Sequence, residues 1–159
     1  MKKVLSFLTV LIIICGLGYL IYTNPDETDS VMSRIKSVYH VYIGDNEYKS
    51  NHLHRAVEHY KYALDLYPNH YSAWFNLGNM YVEGGEYYLA SDAYRQAINY
   101  KPDYIQARMN LGVILAEKLG DYDGAINQYK KIIEVSPQKI LFISNDKTVK
   151  INKGLAYYN

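Results

Sequence analysis

Apolar residues are continuous near the start of the chain and periodic after it. Residues 4–22 read VLSFLTVLIIICGLGYLIY, a run without a charge. As a helix this run is about 28 Å long, close to the hydrocarbon thickness of a bilayer. The pattern predicts one transmembrane helix over residues 4–22, inside an N-terminal segment of residues 1–23 that also contains a short cytoplasmic tip.

Two other interpretations of this segment stay open. One is a cleaved signal peptide, because Gly16-Leu17-Gly18 is a small-x-small triplet that follows an apolar run. The other is a lipoprotein signal ending at Cys15, although isoleucines stand where such signals have a small residue. A retained anchor is preferred, because the apolar run continues through Tyr22.

The charges on either side of the run predict its orientation. Lys2 and Lys3 precede it, and Asp26, Glu27 and Asp29 follow it. The positive-inside tendency places the N-terminus in the cytoplasm. We therefore expect a single-pass protein of the cytoplasmic (inner) membrane, with the remaining residues on the periplasmic or extracellular side.

Residues 24–36 are predicted as a polar linker and a helix start, and from residue 37 the sequence repeats. Each unit has an apolar-periodic stretch, a turn, a second stretch and a proline, which predicts a pair of antiparallel helices. The predicted units are residues 37–70, 71–104 and 105–138. The period is 34 or 35 residues for Gly44, Gly78 and Gly112, for Ala56, Ala90 and Ala125, for Tyr60, Tyr94 and Tyr129, and for Pro68, Pro102 and Pro137.

The middle unit, YSAWFNLGNMYVEGGEYYLASDAYRQAINYKPDY, resembles a tetratricopeptide repeat almost throughout. The first unit has His40 where the family has Trp and Asn51 where it has the turn Gly, and the third has one extra residue near Gly120. The resemblance implies an all-α, right-handed helical solenoid of about three repeats plus a terminal helix. The implied repeat-packing residues are Gly44, Ala56, Tyr60, Pro68, Trp74, Leu77, Gly78, Tyr81, Ala90, Tyr94, Pro102, Gly112, Ala125, Tyr129 and Pro137.

Residues 139–159 are predicted as a connector and a terminal helix that resembles half of a fourth repeat. Gly154 and Tyr157 stand where Gly78 and Tyr81 stand in the second unit. This helix is expected to cover the last helix pair, and a contact between copies of the chain is the alternative.

The resemblance also implies a binding groove on the concave face, lined by the first helix of each pair. The groove positions are Val41, Asp45, Tyr48, Phe75, Asn79, Val82, Met109, Val113 and Ala116, with Ile151 and Leu155 extending the wall. Members that bind acidic chaperone tails carry Lys, Arg and Asn there, whereas here only Asn79 fits, and Val41 and Gln106 stand where basic residues are needed. An apolar groove favours an apolar or amphipathic partner segment. Coverage by the chain's own KILFISND segment, or by packing between repeats, is the alternative.

Composition narrows the function further. Without Lys2 and Lys3, fifteen basic residues face sixteen acidic ones, which disfavours nucleic acid as a partner. The single cysteine lies in the apolar run, the five histidines lack metal-ligand spacing, and no nucleotide-binding glycine loop is present. We therefore expect no enzyme activity, no metal and no cofactor.

These observations predict a membrane-tethered interaction module. It would act as an adaptor or chaperone-like assembly factor for membrane or exported proteins. The alternative is a permanent accessory subunit of a membrane or filament complex, and homo-oligomerisation is left open.

Overall fold

The computed structural model describes residues 25–135, which form six α-helices joined by short turns. The predicted all-α solenoid is confirmed for this part of the chain. The helices are α1 (Pro25–Lys49), α2 (Leu53–Leu66), α3 (Tyr71–Glu83), α4 (Tyr87–Tyr100), α5 (Ile105–Glu117) and α6 (Tyr122–Val135).

The helices pack in chain order. The most extensive contacts lie within the pairs α1–α2, α3–α4 and α5–α6, and smaller ones join α2 to α3 and α4 to α5. Thus α1 and α6 lie at the two ends of the stack. Two clusters of buried side chains, one on each side of α3, form the core.

The repeated glycine and tyrosine meet inside each helix pair. A Cβ added at Gly78 would lie 2.7 Å from Cε1 of Tyr94, and Gly44 and Gly112 face Tyr60 and Tyr129 in the same way. All three tyrosines are almost fully buried. The glycine is therefore required because the tyrosine ring occupies the space where its side chain would be.

The turn inside each pair needs one residue in the left-handed conformation. Asn51, Gly85 and Gly120 hold this position, with φ of 61°, 74° and 69°. Asparagine is among the few L residues that adopt this conformation at modest cost. This explains how the first unit tolerates Asn51. The extra residue of the third unit also lies in its turn, since α5 ends at Glu117 and α6 begins at Tyr122.

Replacing Asn51 with glycine is therefore expected to stabilise the fold by about 0.5 kcal/mol, because it removes the cost of a left-handed Cβ. The matched control is Asn46→Gly inside α1, where glycine costs about 0.5 kcal/mol as a poor helix former. Thermal melts of the two variants should shift in opposite directions. A lower melting temperature for Asn51→Gly would contradict this account of the turn.

Residues 24–36 are predicted as a linker and a helix start, and α1 begins within this range at Pro25, so the helix starts near its beginning and leaves little linker. Proline is tolerated in the first turn of a helix, where its missing N–H has no helical partner. Asp26 and Glu27 follow in that turn, where carboxylates interact favourably with the helix dipole. The polar composition of this segment thus reflects a helix start.

Several predictions fall outside the described residues 25–135. These are the transmembrane helix over residues 4–22 with its alternatives at Gly16–Gly18 and Cys15, Pro137, and the terminal helix with Ile151, Gly154, Leu155 and Tyr157. Within residues 25–135, no helix has the length and apolar character needed to cross a membrane.

Candidate functional site

A cavity of about 370 Å³ opens on the side of the stack where the first helices of the pairs lie. The helices α1, α3 and α5 supply its walls, and α4 contributes one side chain. Its lining residues are Tyr48, Asn79, Val82, Glu83, Tyr94, Met109, Asn110, Val113 and Ile114.

The structure brings five of the nine predicted groove residues together in this cavity. They are Tyr48, Asn79, Val82, Met109 and Val113. Asp45 lines a smaller adjoining space of about 130 Å³, which also includes Tyr48, Lys49 and Asn79. The two spaces therefore form one groove that runs from the first repeat to the third.

The other three predicted groove residues serve packing between repeats. Val41 is only 8% exposed and belongs to a core cluster. The ring of Phe75 contacts the rings of Tyr94 and Tyr104, with centroids 5.7 and 5.0 Å apart. Ala116 is partly buried against the second core cluster. At these three positions packing between repeats covers the side chains, which was the alternative to partner binding.

A hydrogen-bonded amide pair lies in the cavity. The hydroxyl of Tyr94 donates to Oδ1 of Asn79 at 2.6 Å. Nδ2 of Asn110 donates to the same Oδ1 at 3.2 Å and to the Tyr94 hydroxyl at 3.3 Å. These bonds fix the orientation of Asn79 and Asn110, so that their remaining amide groups are positioned before any partner arrives.

The first repeat contains the same arrangement with a carboxylate. Tyr60 donates to Oδ1 of Asp45 at 2.8 Å, and Nδ2 of Asn76 donates to that oxygen at 2.8 Å. Asp45 and Asn79 occupy corresponding positions of the first and second repeats, and Val113 occupies that position in the third. At this position the groove therefore changes from carboxylate, through amide, to apolar along its length, with Lys49 also lining the first-repeat end.

Burial keeps the tyrosines of these arrangements neutral. It raises the pKa of Tyr94 to about 12, an effect that the hydrogen bond from Asn110 opposes. Burial, reinforced by the hydrogen bond to Asp45, raises the pKa of Tyr60 as well. Both hydroxyls thus remain donors at neutral pH, and the groove geometry does not depend on pH through them.

One carboxylate lies at the rim of the main cavity. The hydroxyl of Tyr48 on α1 donates to Oε1 of Glu83 on α3 at 2.7 Å, which joins the first and second repeats. Glu83 is the charged residue of the cavity lining, and neither Lys nor Arg belongs to that lining. The cavity accordingly presents no cation for a partner's carboxylate.

Three of the histidines make close side-chain contacts near the first helix pair. Nδ1 of His40 lies 3.1 Å from Nδ1 of His59, and Nδ1 of His52 lies 2.7 Å from Oε2 of Glu47. Burial, and then the neighbouring His59, lower the pKa of His40. In the described part of the chain, no three His, Cys, Asp or Glu side chains come together as a metal site would require.

Some contributing residues were missed from the sequence. The groove also includes Glu83, Asn110 and Asn76. The two asparagines could have been predicted, because they are 34 residues apart and each lies three residues before a predicted groove position. Arg108 was missed as well. It stands where Trp74 stands one repeat earlier, and both side chains donate to the carbonyl of the preceding repeat's proline.

Comparison with protein families gives a consistent result. The family model described as "TPR repeat" matches residues 78–118. Two models described as "Tetratricopeptide repeat" match residues 59–90 and 105–139. Together these matches cover residues 59–139, about half of the chain.

Curated relatives match over part of the chain. Superkiller protein 3 of Schizosaccharomyces pombe is 26% identical over 117 residues, which cover 74% of this chain and 8% of that protein. Protein bimA of Emericella nidulans is 32% identical over 90 residues, 56% of this chain and 11% of that protein. The human protein O-mannosyl-transferase TMTC3 is 36% identical over 77 residues, 47% of this chain and 8% of that protein. The chain thus spans about a tenth of the length of these relatives.

Solved structures match in fold. The first TPR of Spaghetti (RPAP3), bound to the HSP90 peptide SRMEEVD, has a TM-score of 0.68 at 17% identity, over 79% of this chain and 94% of that one. The Arabidopsis OM64 TPR domain has a TM-score of 0.66 at 19% identity, over 80% of this chain and 99% of that one. At these identities the likeness concerns the fold.

Proposed function

The chain belongs to the tetratricopeptide-repeat family, and from this premise we propose that it is a membrane-tethered protein–protein interaction module. Its groove would hold an extended or helical segment of a partner. The observation that carries the proposal is the cavity that spans all three repeats, with apolar walls and a prearranged amide pair. The fold is a scaffold for interaction, and the enzyme named among the relatives is matched over only 8% of its length.

The groove chemistry favours a partner segment that is apolar and carries no acid. Val82 and Val113 offer apolar contact, and Met109, which is buried in a core cluster, adds apolar surface to the same lining. Asn79 and Asn110 offer amide donors and acceptors suited to a peptide backbone. Glu83 and Asp45 would repel a partner carboxylate, and Lys49 beside Asp45 is the single cation of the two linings, so acidic peptides such as SRMEEVD are expected to bind weakly.

The proposal of a membrane tether rests on the sequence of residues 4–22. This run has the length and apolar character of a membrane span, and the flanking charges favour a cytoplasmic N-terminus. Anchoring raises the effective concentration of the groove near membrane and exported proteins, so that a modest affinity suffices. The proposed role is that of an adaptor or assembly factor at the outer face of a cytoplasmic membrane.

Replacing Val113 with glutamate is expected to weaken partner binding at least about tenfold, which corresponds to about 1.4 kcal/mol. The new carboxylate would face an apolar partner group across the groove, and Glu83 lies in the same lining. The measurement is a mild-detergent pull-down of the tagged full-length chain, with quantitative mass spectrometry of the co-eluting proteins.

The matched control is Leu89→Glu, because Leu89 is an exposed apolar residue on α4 that is absent from the cavity lining. This variant should retain the partner at the wild-type ratio. A partner that survives Val113→Glu at a fixed ratio would reject the groove proposal. That outcome would favour the alternative function, a permanent accessory subunit that is held through another surface.

The tether is tested separately. The full-length chain should stay in the membrane pellet after alkaline carbonate extraction, and protease added to spheroplasts should cleave the repeats while sparing the N-terminal tip. Release by carbonate would reject the tether and leave the groove proposal standing.

A further inference from the structure

The solenoid begins with an apolar surface that no described helix covers. The exposed side chains Val31, Ile35, Val38 and Tyr42 lie on α1, with exposed fractions between 47% and 63%. Met32 and Tyr39 flank them and are exposed to a similar degree. Terminal repeats of a solenoid usually present a polar outer face to water, so an apolar one indicates that something covers it.

These four residues form one apolar stripe along α1, here called the seam, whose spacing agrees with a and d positions of a coiled coil over fewer than two heptads. The steps from Val31 to Ile35, to Val38 and to Tyr42 are four, three and four residues, which is the alternation of a and d positions. The seam ends at Tyr42, since the next position is Asp45, which bonds to Tyr60 inside the fold. It is about 17 Å long at 1.5 Å per residue.

The seam is separate from the face of α1 that holds the repeat together. That face carries Ser37, Val41 and Gly44, all buried. Ser37 donates to the carbonyl of Ala63 on α2 at 2.7 Å. The seam residues are thus not required for folding of the first helix pair, and their apolar character needs a separate reason.

We propose that this seam pairs with the same seam of a second copy of the chain, as a parallel two-helix coiled coil that joins two solenoids. Every seam position is apolar, so each layer of the pair would bring identical or similar apolar side chains together. The parallel direction rests on the proposed anchor, which would bring both helices out of the same membrane side by side. The inference thus rests in part on the proposed membrane tether.

Charge argues against a membrane surface as the cover. The first turns of α1 carry Asp26, Glu27 and Asp29, and the whole helix has five acidic and three basic residues. Anionic lipid surfaces attract segments rich in Lys and Arg.

The patch of six side chains is small beside the roughly 20–30 residues that each partner contributes to a standard interface. The pair is therefore expected to be weak for untethered chains and well populated in a membrane, where the second contact forms at high effective concentration.

The test is disulfide cross-linking of the full-length chain in membranes, in a Cys15→Ser background that removes the single native cysteine. Cysteine in place of Ile35 should give a dimer under mild oxidation, because in a parallel pair the two copies of residue 35 lie opposite each other within disulfide reach. Lys36→Cys is the control, since Lys36 is exposed but lies outside the seam. Adding Val38→Asp to the Ile35→Cys chain should abolish the dimer, with unchanged helicity by circular dichroism.

Equal cross-linking at residues 35 and 36, or none at either, would overturn the proposal, as would a cross-link from residue 35 to a different protein. If a disulfide forms only between an Ile35→Cys copy and a Val38→Cys copy, the helices are antiparallel and the parallel arrangement is wrong. The groove variant Val113→Glu should still cross-link at residue 35, so failure of the seam and failure of the groove give different results.

Discussion

Replacing Gly78 with alanine is expected to destabilise the fold by about 2 kcal/mol and to lower the melting temperature by roughly 10 °C. The new Cβ would lie 2.7 Å from Cε1 and 2.8 Å from Cδ1 of Tyr94. That ring is 1% exposed and its hydroxyl is held by Asn79, so it cannot swing into solvent. Alanine gains about 1 kcal/mol as a helix former, and this gain only partly offsets the overpacking of about 3 kcal/mol.

A matched control for this substitution lies six residues away. Gly84 has φ of −77° and ψ of −5°, and a Cβ there would meet nothing closer than the flexible Glu86 carboxylate at 3.4 Å. Gly84→Ala should therefore be neutral or stabilise the fold by about 0.5 kcal/mol. Similar melting temperatures for both variants would show that the helices can move apart, and the glycine–tyrosine contact would then not fix their distance.

This contact also shows why the fold could be predicted from the sequence. A 34-residue period that holds for Gly, Ala, Tyr and Pro together needs one repeated packing geometry, in which each small residue faces a large one. The structure places Gly78 against Tyr94 and Gly112 against Tyr129 in that geometry. The period also indicates the helix pairs. Each unit contains one turn, and in each turn one residue that tolerates a positive φ separates the two helices.

The groove was less fully predictable. The period indicates which face of each first helix is concave, but not how far the next repeat covers that face. Val41, Phe75 and Met109 share one register. Val41 and Met109 are both core residues, yet Met109 also lines the cavity, whereas Phe75 packs against Tyr104. How far the next repeat covers this face depends on the size of the neighbouring side chains. The spacing of one repeated position carries no information about that size.

The role of Arg108 was missed for a different reason. Tryptophan stands at the corresponding position one repeat earlier, at Trp74. Hydrogen bonding is local and does not follow the repeated pattern. A guanidinium can reach the same carbonyl as an indole N–H.

Replacing Arg108 with leucine is expected to cost about 2 to 3 kcal/mol, since hydrogen bonds from a charged donor contribute about 1.5–3 kcal/mol. Nε and Nη2 of Arg108 donate to the carbonyl of Pro102 at 3.0 and 2.8 Å, and Nη1 donates to Oε1 of Gln128 at 3.0 Å. These bonds connect the turn before α5 to α6. Leucine keeps apolar contact but leaves the buried amide of Gln128 without this donor.

Tryptophan at position 108 separates the contribution of the bond to Pro102 from that of the bond to Gln128. In the preceding repeat Nε1 of Trp74 donates to the carbonyl of Pro68 at 2.8 Å, so Arg108→Trp should restore the bond to Pro102 and lose only the contact with Gln128. We expect it to cost about 1 kcal/mol in denaturant unfolding of the full-length chain in mild detergent. Arg95→Leu, on the exposed face of α4, should change stability by less than about 0.5 kcal/mol. If Arg108→Leu matched that control, the hydrogen bonds of Arg108 would add nothing to stability, and the third repeat would be held by its apolar core alone.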